Sequence, residues 1–398
     1  MTARTTVVGP EVAAAREASR DRHPTARPRT RPARPPAPPQ FFALGFLVAL
    51  LTLFGLVMVL SASAVSAIHH GRSGWTFFVK QSTWAALGAL ALVVGLRIPL
   101  RVVRKLVPLG LLVTFGLLVA VLMPGLGSRV NGARAWFAFG PFAMQPAEIA
   151  KLVLVIYCAD LFARRADRMH EVRMTLWPAM LMLGLMGVLV MAQPDLGTVL
   201  VLSGIVLALA FIGGAPIVPL ASTVGLVGLA GAVFTLSAKY RRDRWLAFLD
   251  LAKHRDNEGF QVWQSLVGIA SGGITGVGLG ASKAKWDYLP EAHTDFIFAI
   301  IAEELGLIGV VVVVVLFALL GLFGAQVALR AQDRFGMLLA GGITAWLMVQ
   351  AIINIGGVVG VMPLTGLTLP FLSFGGSSLL VTMSGAGLLL NVARTATR

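Results

Sequence analysis

The sequence predicts an all-α polytopic membrane protein of ten transmembrane helices, with one large extracytoplasmic loop between the seventh and the eighth. Three observations lead there. Only 13% of the 398 residues are charged and 57% are hydrophobic, whereas a soluble domain carries about 25% charged residues. Ten apolar runs come close to the ~20 residues needed to span a bilayer. Finally, lysine and arginine gather in alternate loops, as the positive-inside rule requires of a multi-pass chain.

Taken in order, the runs occupy residues 41–62, 75–96, 106–123, 144–162, 174–192, 196–212, 217–237, 296–323, 336–361 and 368–392. Residues 1–40 precede them, with eight arginines, eight prolines and only Glu11, Glu17 and Asp21 in opposition. That composition cannot build a core, so it reads as a disordered basic cytoplasmic tail beside the membrane domain of residues 41–398. It also accounts for about a third of the net charge of +15. The surplus therefore suits an anionic lipid surface or a cytoplasmic partner rather than nucleic acid. No cleavable signal is expected, because the first apolar run is long enough to span. Cys158 is the only cysteine, which excludes an intramolecular disulfide.

Orientation follows from the short loops. Arg97, Arg101, Arg104 and Lys105 follow the second run, Arg164, Arg165, Arg168 and Arg173 the fourth, and Arg330 and Arg334 the eighth. All fall on one side if both termini are cytoplasmic. The opposite side then holds the long loop 238–295. Within it, Arg244 to Leu251 places Trp245, Phe248 and Leu249 on one side at helical spacing, as an interfacial helix does. Residues 259–280 are apolar and glycine-rich. No GK[ST] follows and no strand precedes, so a phosphate loop is a poor reading, and a re-entrant or surface-lying segment packed on the bundle is the better one.

Four polar clusters fall at the predicted outer face: NGARAWFAFGPFAMQPAEIAK at 131–151, QPDLGT at 193–198, the long loop through Asp295, and MPLTGLTLPFLSFGGSS at 362–378. Their convergence from distant helices points to a pocket there. Arg134, Lys151, Lys283 and Lys285 are cations with no topological role on that side. They suit an anionic, phosphate-bearing headgroup. Gln145 belongs to the same cluster as Glu148 and Lys151, which lie three apart on one helix face, as an ion pair or a substrate contact. Asp195 opens a helix, where a carboxylate is favourable for structural reasons alone. Ser377 and Ser378, beside Gly375 and Gly376, resemble helix-packing positions.

Carboxylates entering a membrane mark function, since an ionised side chain at a helix centre costs about 2.5–3.5 kcal/mol on insertion scales. The stretch WDYLPEAHTDFIFAIIAEELGLIG at 286–309 holds Glu291, His293, Asp295, Glu303 and Glu304. With Thr294 as N-cap, Asp295 is expected in the first turn of the eighth helix, with a lowered pKa that keeps it ionised. There it would take a proton from an attacking hydroxyl or hold a divalent cation against a phosphate group. Glu303 and Glu304 lie about 12–14 Å deeper, at about 1.5 Å per residue, where pairing inside the bundle is expected.

The blocks NGARAWF, QPAEIAK, QPDLGT, YRRDRWLAFLD, GVGLGASK, YLPEAHTDFIFAIIAEELG and PLTGLTLPFLSFGGSS resemble, in this order and spacing, the SEDS family of polytopic glycosyltransferases, the FtsW/RodA/SpoVE group. YRRDRWLAFLD and GLTLPF are closer to FtsW, the division member, than to RodA, the elongation member. The resemblance implies a ten-helix fold and polymerisation of lipid II, with a glycan-carrying undecaprenyl pyrophosphate as donor. It also implies an essential acidic residue at Asp295, dependence on Mg2+ or Mn2+, and partnership with a class B penicillin-binding transpeptidase and other divisome proteins. The candidate substrate-binding residues in the outer-face clusters are Arg134, Gln145, Glu148, Lys151, Asp195, Lys283, Lys285, Glu291, His293, Thr294, Ser377 and Ser378. Two departures stand out. Ala135 replaces the arginine that many relatives carry before the tryptophan, and AKHRDNE at 252–258 replaces a proline-containing stretch. A lipid-headgroup flippase is the alternative from another class, although no internal repeat is present and the polar clusters gather on one face rather than at the midplane. A scaffold that recruits and activates a transpeptidase is the non-catalytic alternative.

Overall fold

The computed structural model describes residue 2 and residues 38–396, except positions 131, 141, 238 and 287. The basic tail thus lies outside the described residues. Each apolar run contains a helix: α1 (Pro39–His69), α2 (Thr76–Arg97), α4 (Val107–Leu122), α5 (Pro146–Arg164), α6 (Leu176–Met191), α7 (Leu196–Gly213), α8 (Ile217–Leu236), α11 (Ile297–Leu329), α12 (Arg334–Val358) and α13 (Gly376–Thr395). Shorter helices α3 (Leu100–Lys105), α9 (Lys239–Leu249) and α10 (Phe260–Gly272) fill connections. Among the described residues, seven helices are long and apolar enough to cross a membrane. Of the other three, α4 and α6 are shorter and apolar, and α5 carries Glu148, Lys151, Asp160 and Arg164. The protein is a multi-pass membrane protein.

The described residues are nearly all helical, as the all-α reading expects, and two details need correction. A small antiparallel sheet departs from that reading: β1 (Ser128–Val130), β2 (Ala133–Phe139) and β3 (Phe142–Met144), in the order β1-β2-β3. In β2, Ala135 and Phe137 are buried while Ala138 is exposed, a period-two pattern, and Gly132 takes φ +82° at the β1–β2 turn. An Asn-Gly turn between such runs is a strong hairpin signal. The second correction concerns α13, which starts at Gly376 rather than at 368. Gly366, Pro370 and Gly375 break the preceding apolar stretch, whose backbone instead meets Gln81 near the start of α2 and Gln350 and Asn354 near the end of α12.

Helices α12 and α13 are largely buried, and α2 packs along α13 with most of its own surface facing outward. Asn391 on α13 donates to the carbonyls of Gly95 and Ile98 at 2.9 and 2.6 Å, which caps the end of α2. Gln81 on α2 donates to Ser373 O at 3.0 Å and accepts from Gly375 N at 3.3 Å. Glycines allow this close approach, for a Cβ at Gly95 would meet Ser384 O at 3.0 Å.

Helix α11 is broken at Gly306, where φ is 65° and ψ −160°. The freed backbone groups find partners in the glycine-rich segment after α10. Val277 and Gly278 donate to the carbonyls of Glu303 and Glu304, both at 3.0 Å, and Leu307 and Ile308 donate to Gly273 and Ile274 at 2.9 and 3.2 Å. Irregular backbone in an apolar bundle is tolerated where protein satisfies it in this way, and the glycine-rich segment packs on the bundle by interlocking with the break. Gly306→Ala is expected to destabilise the protein by about 1–3 kcal/mol from backbone strain alone. A Cβ there would also meet Ile274 O at 2.5 Å. Thermal unfolding in detergent measures this, and an unchanged midpoint would contradict it.

Candidate active site

The loop returns to α11 through a turn at residues 291–296. Glu291, at φ +58°, accepts at its carbonyl from Thr294 N (3.1 Å) and Phe296 N (3.3 Å), and its carboxylate accepts from Thr294 Oγ1 at 2.9 Å. Phe296, not Thr294, is the N-cap, and it makes no side-chain cap bond. Asp295 therefore lies before the first helical turn instead of within it. Its carboxyl is pushed up to about 7, first by burial and then by Glu291 and Asp195, against the pull of Arg244. The lowered pKa expected from a helix N-terminus does not arise, because desolvation outweighs it and the helix starts two residues later.

Two groups hold this turn from outside. Asn354 on α12 donates through Nδ2 to Asp295 O at 2.8 Å and to Leu367 O at 2.6 Å. Phe374 N donates to His293 O at 2.9 Å, and the His293 ring lies against Phe77 and Phe374, with centroids 4.5 and 5.5 Å apart. Burial lowers the His293 pKa and favours the neutral ring, although Glu291 opposes the shift. The 362–375 segment comes close to the carboxylate at Gly366, where a Cβ would stand 3.6 Å from Asp295 Oδ2. Phe371 in the same segment, like Glu291, holds a left-handed backbone (φ +65°), and such strain clusters at functional sites.

Beside the turn stands the polar group of α5 and α7. Lys151 Nζ contacts Glu148 and Gln350 Oε1, each at 2.8 Å, and is fully buried. Gln350 accepts from Trp346 Nε1 at 3.0 Å and donates to Thr368 O at 2.9 Å. The Thr368 hydroxyl in turn meets Ser378 Oγ at 2.9 Å. Asp195 caps α7 by accepting from Thr198 N and Thr198 Oγ1, both at 2.8 Å, and it accepts from Gln145 Nε2 at 3.1 Å. Gln145 N donates to Ser377 Oγ at 3.2 Å. Burial raises the Asp195 pKa, while its Thr198 bonds and Lys151 oppose the rise.

The predicted residues thus divide. Gln145, Glu148, Lys151, Asp195, Ser377 and Ser378 join one polar network on α5, α7, α12 and α13. Asp195 and Asp295 act on each other electrically, which ties that network to the turn carrying Glu291, His293 and Thr294. Three cations are engaged elsewhere. Arg134 lies on β2 and donates to Leu122 O at 3.3 Å, at the end of α4. Lys283 has an exposed side chain. Lys285, expected at a headgroup, is buried, and its Nζ lies 3.0 Å from Glu304 Oε1. The pairing of Glu303 and Glu304 inside the bundle is as expected. Trp346, Gln350, Asn354, Gln81 and Thr368 escaped the sequence reading. The first three carry a legible signal, because polar or amphipathic side chains at i, i+4 and i+8 of an apolar helix line one face.

No group of three or more His, Cys, Asp or Glu side chains that would cage a metal forms among the described residues. Glu291 and Asp195 both act on Asp295, so two other carboxylates lie within electrostatic reach of its own. An apolar groove of about 570 Å³ between α2, α4, α5 and α13, lined by residues such as Leu87, Val94, Val153 and Leu388, includes none of these polar groups.

Residues 42–398 match the family model for FtsW, RodA and SpoVE, described as a cell cycle protein. The chain is 41% identical over 372 residues to a probable peptidoglycan glycosyltransferase FtsW of Mycobacterium tuberculosis, covering 93% of this chain and 71% of that one. It is 40% identical to the stage V sporulation protein E of Bacillus subtilis, covering 87% and 94%. Among solved structures, a chain from a peptidoglycan synthase complex described as coordinating polymerization and crosslinking is similar at TM-score 0.73 and 34% identity, covering 89% and 98%. The rod shape determining protein RodA of Thermus thermophilus is similar at TM-score 0.67 and 30% identity, covering 90% and 97%.

Proposed function

The chain belongs to the FtsW/RodA/SpoVE family of cell-cycle proteins, and on that premise we propose that it is a peptidoglycan glycosyltransferase of cell division that polymerises lipid II into glycan strands. The observation that carries this reading is the 41% identity, over 93% of the chain, to a relative named as such an enzyme. Both termini are cytoplasmic, and the polar network with the Asp295 turn faces the outer side of the cytoplasmic membrane.

Asp295 is the general base. A carboxylate titrating at about 7 is well matched to proton transfer near neutral pH. It takes the proton of the acceptor GlcNAc hydroxyl as that oxygen bonds to the anomeric carbon of the donor and the bond to undecaprenyl pyrophosphate breaks. A divalent cation is the other role open to this carboxylate: when held by Asp295 it would neutralise the pyrophosphate, and Asp295 would then not serve as the base. Asn354 and the Glu291 turn keep the Asp295 backbone in place, and the neutral His293 ring, flanked by Phe77 and Phe374, closes one side. The headgroup meets Gln145, Thr294, Ser377 and Ser378. The partner is a class B penicillin-binding transpeptidase, within a larger set of divisome proteins. The likeness to a chain of a peptidoglycan synthase complex supports this.

The test is glycan polymerisation from purified lipid II in detergent, with the partner transpeptidase present and magnesium and manganese varied. Polymer that depends on the cation is expected. No polymer, with headgroup crossing intact in liposomes, would make the protein a flippase instead.

A further inference from the structure

The long loop is fastened to the membrane interior at one level, and the fastening is double. Glu303 and Glu304 are buried, each with at most 2% of its surface exposed. Their carbonyls receive Val277 and Gly278 from the descending limb of the glycine-rich segment. Their carboxylates receive the returning limb. Glu303 accepts from Ser282 Oγ at 2.5 Å, Lys283 N at 2.8 Å and Ala284 N at 3.3 Å. Glu304 accepts from Lys285 Nζ at 3.0 Å and from Ser61 Oγ on α1 at 2.6 and 2.8 Å. Two adjacent side chains of α11 thus grip four consecutive loop residues, and Ser61 anchors the grip to a second helix.

What is gripped leads straight to Asp295. Above the clamp the chain folds back on itself, with Trp286 N to Lys283 O at 3.1 Å and Leu289 N to Ala284 O at 2.9 Å. Leu289, Ala292 and Phe296 are buried along the way. Residues 282–304 therefore form a ring, closed at its base by the carboxylates of Glu303 and Glu304 and carrying Asp295 in the turn just before α11 begins. A ring fixed at its base has fewer ways to present its turn than an open loop does.

We propose that Glu303, Glu304 and Lys285 are positioning residues for the polymerase reaction: they clamp the returning limb of the loop so that its turn presents Asp295. This rests on the activity proposed above. It also gives Lys285 a role other than headgroup contact. Removing one member of a buried ion pair leaves an uncompensated charge, whereas replacing both with apolar residues is often neutral. That difference separates a clamp from a substrate contact.

The experiment compares wild type, Lys285→Met, Glu304→Met and the double variant, each as the full chain with its partner. Two readouts are taken, kcat and KM for lipid II polymerisation and hydrogen exchange of the amides of residues 288–296. Each single variant is expected to lose tenfold or more in kcat, with KM within about twofold of wild type and faster exchange in 288–296. The double variant is expected to regain most of both. A raised KM with unchanged exchange in Lys285→Met, not repaired by adding Glu304→Met, would overturn the clamp and return Lys285 to the substrate. Exchange decides the clamp even if no preparation polymerises lipid II, a result that would sink the proposed activity separately. A single variant that fails to fold while the double variant folds also supports the clamp.

Discussion

Asp295→Asn is expected to lower lipid II polymerisation by two to four orders of magnitude, the range spanned by a lost general base, while leaving the protein folded. In the wild type the base works only when deprotonated. With its pKa near 7, the rate should climb about tenfold per pH unit below that value and level off above it. The sign for stability is opposite. A folded pKa raised above the ordinary ~3.9 of aspartate gives a contribution fully present below about pH 4 and lost as pH rises through about 7. Asparagine does not ionise, so Asp295→Asn should unfold at the same temperature as wild type or higher at pH 8. Gel analysis of polymer and thermal unfolding in detergent check both halves. A variant that polymerises within a few-fold of wild type would remove Asp295 from the chemistry.

The second large effect is expected at Lys151. Its ammonium group, fully buried, is held by Glu148 and Gln350 at 2.8 Å and lies 5.8 Å from the centre of the Trp346 ring. Lys151→Met leaves Glu148 as a buried charge without its counter-ion, which costs about 3–5 kcal/mol where such pairs are broken. Glu148→Met added to it should recover most of that loss. Activity is expected to return with stability, because a side chain sealed on all sides acts as part of the scaffold. The readout is the unfolding midpoint of the single and double variants, measured alongside polymerisation. A midpoint for Lys151→Met equal to that of wild type would show that the pair carries little.

Hydropathy made most of the architecture legible, since apolar runs near 20 residues leave few other folds open. What escaped was local structure decided by distant partners. The stretch 368–375 is apolar enough to extend a helix. Its backbone instead follows Gln350, Gln81 and Asn354, which take up the carbonyls or amides of Leu367, Thr368, Ser373 and Gly375. The hairpin at 128–139 was missed because its strands are short and lie between spans, although the Asn-Gly pair marked it. At Asp295 the residue was legible and its setting was not. The Thr294 cap suggested by the sequence lost to a turn built on Glu291, and proximity to a helix end lost to burial. Lys285 fell on the predicted outer side but found Glu304, nineteen residues away, a pairing that needs the broken helix and the glycine-rich segment together.

The bonds between α2 and α13 also bear on how the chain is made. Helix α2 leaves the ribosome well before α13. Until the later segment has been made, the carbonyls of Gly95 and Ile98 have no Asn391 to cap them, and Gln81 has neither Ser373 nor Gly375 to engage. Helix α2 therefore waits in the bilayer with only α1 beside it until residues 373–391 have been made. A chain cut short before Gly376 would carry that defect in α2. An early helix thus registers whether a later one has arrived.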